Sequence, residues 1–315
     1  MSADGVRDGP VDAGSGTAEP ARLDLLAAID TAPAPADGVP GKGGPGRAGR
    51  NLPAAIAVGL ALGLAVTVPL FSPYRWVYVG VLAVAAAIGV YEIVKALRTL
   101  GAHPPMLPLQ VGGLAIVVLS YRQGPEALFL GLVLTVLACL AWRLADPAEG
   151  FLRDVSAATF TAAYVPFLTG FAALLAIPAD GPRRVTAFVA VVVCSDVGGY
   201  AAGVLLGRHA MAPSVSPKKS WEGFAGSLAA CAVAGGVLFA TLFDASPLLG
   251  VLYGLAITAT ATMGDLGESM VKRDIGVKDM GTLLPGHGGI MDRLDSLLPA
   301  APVAWVLLAA FVPYP

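Results

Sequence analysis

The chain has 315 residues, of which 56% are apolar and only 13% charged, and its mean hydropathy is +0.73. A water-soluble domain carries about 25% charged residues, so most of this surface faces something other than water. The net charge of -2 carries no information about a polyanionic partner, because the charges are clustered along the chain, while the three cysteines, Cys139, Cys194 and Cys231, sit in apolar runs without metal-type spacing and exclude a disulfide framework or a zinc site.

Residues 1–52 are rich in Gly, Ala, Pro and Asp and poor in aromatic and β-branched side chains. Such a segment cannot bury enough apolar surface to offset its ordering entropy, and it is expected to be a disordered cytosolic tail. It lacks a basic stretch followed by an apolar one, so it does not read as a cleaved signal peptide. Residues 53–315 then form a polytopic membrane catalytic domain.

A helical span needs about 20 mainly apolar residues. Nine runs qualify: Pro53–Phe71, Trp76–Val94, Met106–Ser120, Glu126–Trp142, Ala157–Ile177, Val185–Leu206, Gly223–Phe243, Pro247–Gly264 and Pro299–Pro313. The third and ninth are the shortest. The runs are continuous rather than alternating, which argues against a β-barrel. The fold class expected is all-α, with about nine transmembrane helices.

Short cytosolic loops are enriched in Lys and Arg. With the N-terminus inside, the outside segments hold only Arg75, Arg122, Arg183 and Arg184, and every other basic residue falls inside. This places the polar segments 195–223 and 264–296 on the cytosolic side. Glu92 and Glu126, at span ends, read as interfacial. Gly199, Gly203 and Gly207 share one helix face, and Gly59/Gly63 and Gly250/Gly254 repeat the spacing, which allows close helix approach in lipid.

The chemistry concentrates in those two polar segments. Asp265 and Glu268, and again Asp292 and Asp295, are three residues apart and share a helix face. Paired hard carboxylates without cysteine suit Mg²⁺ better than zinc. Between them lie Lys272, Arg273, Lys278 and Arg293, with Gly286-His287-Gly288-Gly289 before the last helix. Bare amides of glycines and a helix N-terminus favour phosphate. Acids for a metal and bases for phosphates make an inventory for phosphoryl or nucleotidyl transfer. Asp196 lies in the sixth run, where an ionised carboxylate is costly, and Tyr200 follows one turn later on the same face; a polar cavity is expected there.

From Ser269 to Asp295 the chain resembles the phosphatidate cytidylyltransferase signature at every specified position: Ser269, Val271, Lys272, Arg273, Lys278, Asp279, Gly281, Pro285, His287, Gly288, Gly289, Asp292, Arg293 and Asp295. The upstream run Ser195-Asp196, Tyr200, Gly203, Gly207-Arg208, Ser216-Pro217-Lys218-Lys219-Ser220 and Glu222-Gly223 is similar to that family too. Gly199 departs from it, standing where alanine is expected.

The resemblance implies that the phosphate of phosphatidic acid attacks the α-phosphorus of CTP and expels pyrophosphate, at a cytosol-facing site. It implies Asp265, Asp292 and Asp295 as holders of Mg²⁺, with a monovalent cation as a second expected ion. Lys272 and Arg273 join them as catalytic residues. Ser216, Lys218, Lys219, Ser220, Glu222, Asp196, Tyr200, Lys278, His287, Gly288, Gly289 and Arg293 are the expected substrate-binding set. The partners expected are CTP, phosphatidic acid and the bilayer of the cell (inner) membrane, with a homodimer left open and no nucleic acid.

Other classes fit less well. A secondary transporter would place its charges near the midplane within internal repeats. Here only Asp196 is so placed, and no repeat relates the halves. A CDP-alcohol phosphotransferase would carry an Asp-Gly-x-x-Ala-Arg motif, which is absent. A purely structural scaffold would leave the loop motif unexplained.

Overall fold

Lipid offers a backbone no hydrogen-bond partners, so apolar runs must satisfy their own N–H and C=O groups as helices. The computed structural model describes residues 63–281, 283 and 288–313. Its helices are α1 (63–71), α2 (Trp76–Thr99), α3 (Met106–Gln123), α4 (Pro125–Arg143) and α5 (Phe151–Ala162), which passes through a π-helical turn (Ala163–Phe167) into α6 (Leu168–Leu175). After α7 (Gly181–Leu206) come a hairpin of β1 (Ala210–Ala212) and β2 (Ser216–Ser220), then α8 (Trp221–Leu242), α9 (Pro247–Ile275), the single turn α10 (Met291–Leu294) and α11 (Leu297–Phe311). The chain divides after Gly49 into two units, and the first lies outside the described residues together with the tail expected at 1–52.

Seven stretches among the described residues are long and apolar enough to cross a membrane: Trp76–Thr99, Pro125–Arg143, Phe151–Leu175, Gly181–Leu206, Trp221–Leu242, Pro247–Ile275 and Met291–Phe311. The architecture is therefore that of a multi-pass helical membrane protein. Two of the nine expected spans are not among the seven. The first falls partly on residues 53–62, outside the described region. The third forms a full helix, Met106–Gln123, but Gln110, Arg122 and Gln123 dilute its apolar character. The short ninth run is lengthened backwards through α10 to Met291.

Glycine contacts bring the site-bearing helices together. Gly199 and Gly203 of α7 lie against Gly223 of α8, and Gly198 meets Gly226, with no room for a Cβ at the latter pair. The expected stripe is thus a packing face. Gly250 and Gly254 of α9 likewise approach the backbone of Gly235 and Cys231 of α8, whereas a Cβ at Gly63 would meet no atom of the described residues and Gly59 is outside them. Overpacking of such a contact costs about 1–3 kcal/mol. Gly235→Val is accordingly expected to lower the thermal midpoint of the purified protein by several degrees. An unchanged midpoint would show that α8 and α9 can re-pack.

Two of the basic residues that dissented from the loop bias, Arg75 and Arg184, have structural roles. Arg184 is 1% exposed, pairs with Asp180 at 2.8 Å and donates to the carbonyls of Leu308 and Val312, closing the end of α11. Arg75 donates to the carbonyls of Pro178 and Ala179. A guanidinium spent on orphaned helix-end carbonyls satisfies backbone groups and reports little about sidedness.

Candidate active site

The hairpin and the N-terminus of α8 present the first basic group. Ser220 caps α8, its Oγ accepting from the Gly223 N–H at 3.1 Å, so β2 must run directly into the helix. That delivers Lys218 and Lys219 to the mouth of a cavity of about 330 Å³ between α7, α8 and α9. Asp196 and Tyr200 line it from α7 and Asp265 lines it from α9. Asp196 is exposed to this cavity and not packed among apolar neighbours, as expected of a carboxylate within a span. Lys219 Nζ is ion-paired with Asp265, joining the hairpin to α9.

The second segment is built differently from its sequence reading. The eighth run does not end at Gly264: α9 continues for about three further turns, to Ile275. Asp265, Glu268, Lys272 and Arg273 are therefore helical, not loop, residues. Gly276, at φ 77°, ends the helix in the left-handed conformation that favours glycine. Gly264 has no room for a Cβ because the Asp295 carbonyl and Pro299 lie against it. This contact sets the Asp295 segment beside Asp265.

The charged groups then form a line. Lys272 Nζ bridges Glu268 Oε2 at 3.2 Å and Asp292 Oδ1 at 2.9 Å. Glu268, fully buried, stands beside Asp295, which in turn faces Asp265. By geometry, Glu268 Oε1 has no hydrogen-bond partner among the described residues. The Tyr164 hydroxyl, on the π-helical turn, is also buried and has no hydrogen-bond partner among the described residues; it lies in the field of Glu268, Asp295 and Asp265. Single-turn π-bulges are frequent at functional sites. Nothing in the local sequence marks Tyr164, since its relation to the acids is made only by packing.

Asp292 is occupied in another way. Besides Lys272, its carboxylate accepts the N–H groups of Met280 at 3.0 Å and Gly289 at 2.7 Å. It holds the signature loop in shape, while Gly288, at φ 80°, turns the chain against it. Asp265 and Asp295 lie in one another's field, while Lys272 stands between Glu268 and Asp292.

Other expected residues are placed as follows. Glu222 accepts the N–H groups of Arg208 and His209 at 3.1 and 3.2 Å and contacts His209 Nδ1 at 2.6 Å. It clamps the start of the hairpin, so its observed partners are protein groups. Arg273 Nε donates weakly to the Val215 carbonyl of the hairpin at 3.4 Å. Ser216 is half-buried in β2, Lys278 is exposed beyond α9, and Arg293 lies in the field of Asp196. Gly289 is packed beneath the loop, and His287 lies outside the described residues. Glu92, read as interfacial, is instead 4% exposed and bonded to the backbone of Ile290 and Met291. A carboxylate near a span end is written the same way in sequence whether it meets water or a distant loop.

The donors can be tested against the expected Mg²⁺. Among the described residues no three His, Cys, Asp or Glu side chains close on a single metal position. Mg²⁺, however, is usually held by one or two carboxylates with water and substrate phosphates completing the shell. The hard oxygens of Asp265 and Asp295, with the buried Glu268 carboxyl beside them, fit that requirement.

A multi-pass helical bundle that opens a polar cavity among its spans, with carboxylates flanked by lysines, belongs to the class of membrane-embedded enzymes that handle phosphate groups. The chain belongs to the cytidylyltransferase family, whose pattern matches residues 53–311. It is 47% identical over 280 residues to the phosphatidate cytidylyltransferase of Mycobacterium leprae (strain TN), covering 83% of this chain and 89% of that protein. It is 46% identical over 277 residues to the enzyme of the same name from Mycobacterium tuberculosis (strain ATCC 25618 / H37Rv), covering 83% and 84%. A phosphatidate cytidylyltransferase of Brucella suis biovar 1 (strain 1330) is 44% identical over 151 residues, 46% of this chain and 56% of that protein.

Proposed function

We propose that the protein transfers the cytidylyl group of CTP to phosphatidic acid, giving CDP-diacylglycerol and pyrophosphate for phospholipid synthesis. The observation that carries this reading is the unbroken line of charged groups from Lys219 through Asp265, Asp295, Glu268 and Lys272 to Asp292, at the edge of a cavity among membrane spans. It supplies opposite charges where a triphosphate and a lipid phosphate must meet.

A phosphate oxygen of the lipid forms the new bond to the α-phosphorus, the bond from that phosphorus to the bridging oxygen of the β-phosphate breaks, and pyrophosphate departs with the electron pair. The nucleophile is already anionic, so no strong general base is required. Lys218 and Lys219 neutralise phosphate charge at the cavity mouth, and the hairpin clamp by Glu222 holds them there. Lys272, fixed between two carboxylates, keeps Asp292 and the signature loop in register with α9. Positioning and charge neutralisation supply most of the rate. Asp265 and Asp295, with Glu268 beside them, are the residues that would hold Mg²⁺. When bound, that ion would neutralise the phosphate oxygens as a Lewis acid.

The reading extends to sidedness. The site faces the cytosol of the inner membrane, supported by the basic-residue bias and by the supply of CTP, a polar nucleotide, on that side. Purified protein in lipid micelles with CTP, phosphatidic acid and Mg²⁺ is expected to release pyrophosphate and form CDP-diacylglycerol, and to stop when Mg²⁺ is chelated. A single cysteine at Ser216, in a background without the native thiols, should label with an impermeant reagent only from the cytosolic side. Lipid-independent CTP hydrolysis alone would overturn the reaction, and labelling from outside would overturn the sidedness.

A further inference from the structure

The cytidylyltransferase reading leaves the buried Glu92 unused. Glu92 lies on α2, almost 200 positions before the signature loop, yet its carboxylate is folded into that loop. One oxygen accepts the Ile290 N–H at 3.2 Å and the other the Met291 N–H at 2.8 Å. These amides lead directly into the turn that carries Asp292 and Arg293. A Cβ placed on Gly281 or on Gly289 would run into the same carboxylate, so both glycines leave the space that Glu92 fills. Asp292, meanwhile, grips the loop from its other side through Met280 and Gly289. Residues 289–291 are thus held between two carboxylates, one from the adjoining turn and one from a remote helix.

We infer that Glu92 is a positioning residue for cytidylyl transfer, which fixes the backbone of residues 289–291 and thereby the placement of Asp292 and Asp295 relative to α9. The physical case is one of economy. An ionised carboxylate that accepts backbone N–H groups makes charge-assisted bonds, about twice as strong as neutral ones. A buried acid is costly unless so bonded, and a surface role for Glu92 would not require burial at all. Its location also explains two requirements of the loop motif: a small residue at 281 and glycine at 289 are needed because the clamp occupies their side-chain space.

The inference rests on the proposed reaction, and the experiment separates the two. Full-length wild type, Glu92→Ala, Glu92→Gln, Gly281→Ala and the double variant Glu92→Ala/Gly281→Ala are purified in lipid micelles. Thermal midpoint, kcat, and KM for CTP and for phosphatidic acid are measured on folded material. Glu92→Ala is expected to lower kcat at least about 30-fold, an amount in keeping with the loss of two charge-assisted bonds, with a much smaller change in KM for the lipid. Glu92→Gln, which keeps one acceptor oxygen, should recover part of that loss. Gly281→Ala should be harmful with Glu92 present and nearly silent once Glu92 is alanine, because the space has been vacated.

A merely structural residue would lower the midpoint and leave kcat per folded enzyme within twofold, and that result overturns the inference. So does additivity of the two substitutions. If wild type itself forms no CDP-diacylglycerol, the proposed reaction has failed, and the midpoints still report on the clamp: non-additive shifts for Glu92→Ala and Gly281→Ala support it, and additive ones overturn it.

Discussion

Asp295→Asn is expected to reduce CDP-diacylglycerol formation about 100- to 1,000-fold or more, the loss seen when one preorganised electrostatic group is removed from an active site. The substitution keeps shape and changes charge. Asp295 Oδ1 accepts the Ser296 N–H at 2.6 Å and the Ser296 hydroxyl at 3.0 Å, and an amide oxygen can still take both bonds. The helix start should therefore survive, and the thermal midpoint should move little or even rise. What disappears is the charge of one of three clustered acids, Asp265, Glu268 and Asp295, where the proposed Mg²⁺ would sit. Asp265→Asn should show a loss of similar order, with the added release of Lys219 from its partner. Because the two acids act as one unit, the double variant should be little worse than either single one. Turnover within threefold of wild type for folded Asp295→Asn would remove Asp295 from the catalytic set.

Lys272→Met is expected to harm both folding and catalysis. Lys272 is 15% exposed, while its partners Glu268 and Asp292 are 0% and 9% exposed. Removing one member of a buried ion pair leaves the other charge uncompensated, typically at about 3–5 kcal/mol. The midpoint should fall steeply, and Asp292 should lose its hold on α9. The partner substitution divides the two effects. Lys272→Met/Glu268→Gln removes one of the two acids left without Lys272 and should regain part of the midpoint, yet turnover should stay low, because Asp292 remains without Lys272 and the acid array has lost a member. A double variant that recovers both stability and turnover would reduce Lys272 to a structural counter-ion.

Much of the site was visible as patterns along single elements. The pairing of Asp265 with Glu268 on one face survives in α9, because spacing of three residues on a helix has only one geometric meaning. Asp196 opens on a polar cavity for the same kind of reason: a carboxylate among apolar side chains must find one. The glycine stripe of α7 was likewise readable as a packing face. Partner identity was not readable this way. Glu222 and Lys219 sit three residues apart in the same motif, yet one clamps the backbone of Arg208 and His209 and the other reaches Asp265 on α9.

By itself, the sequence determined that this is a multi-pass helical protein, seven of whose nine apolar runs appear as candidate spans, and that acids and bases for phosphate chemistry gather in two segments. Hydropathy and spacing are properties of a single run of chain, and the bilayer leaves helices as the outcome for continuous apolar runs. Only the tertiary structure decided that α9 runs on to Ile275, that Lys272 joins Asp292 to Glu268, and that Glu92 of α2 binds the backbone of Ile290 and Met291. Each of these depends on how closely two helices can approach, at Gly264 against Asp295 and at Gly281 and Gly289 against Glu92. Such distances are set by side-chain volume on both partners at once, and a spacing along one chain segment carries only half of that information.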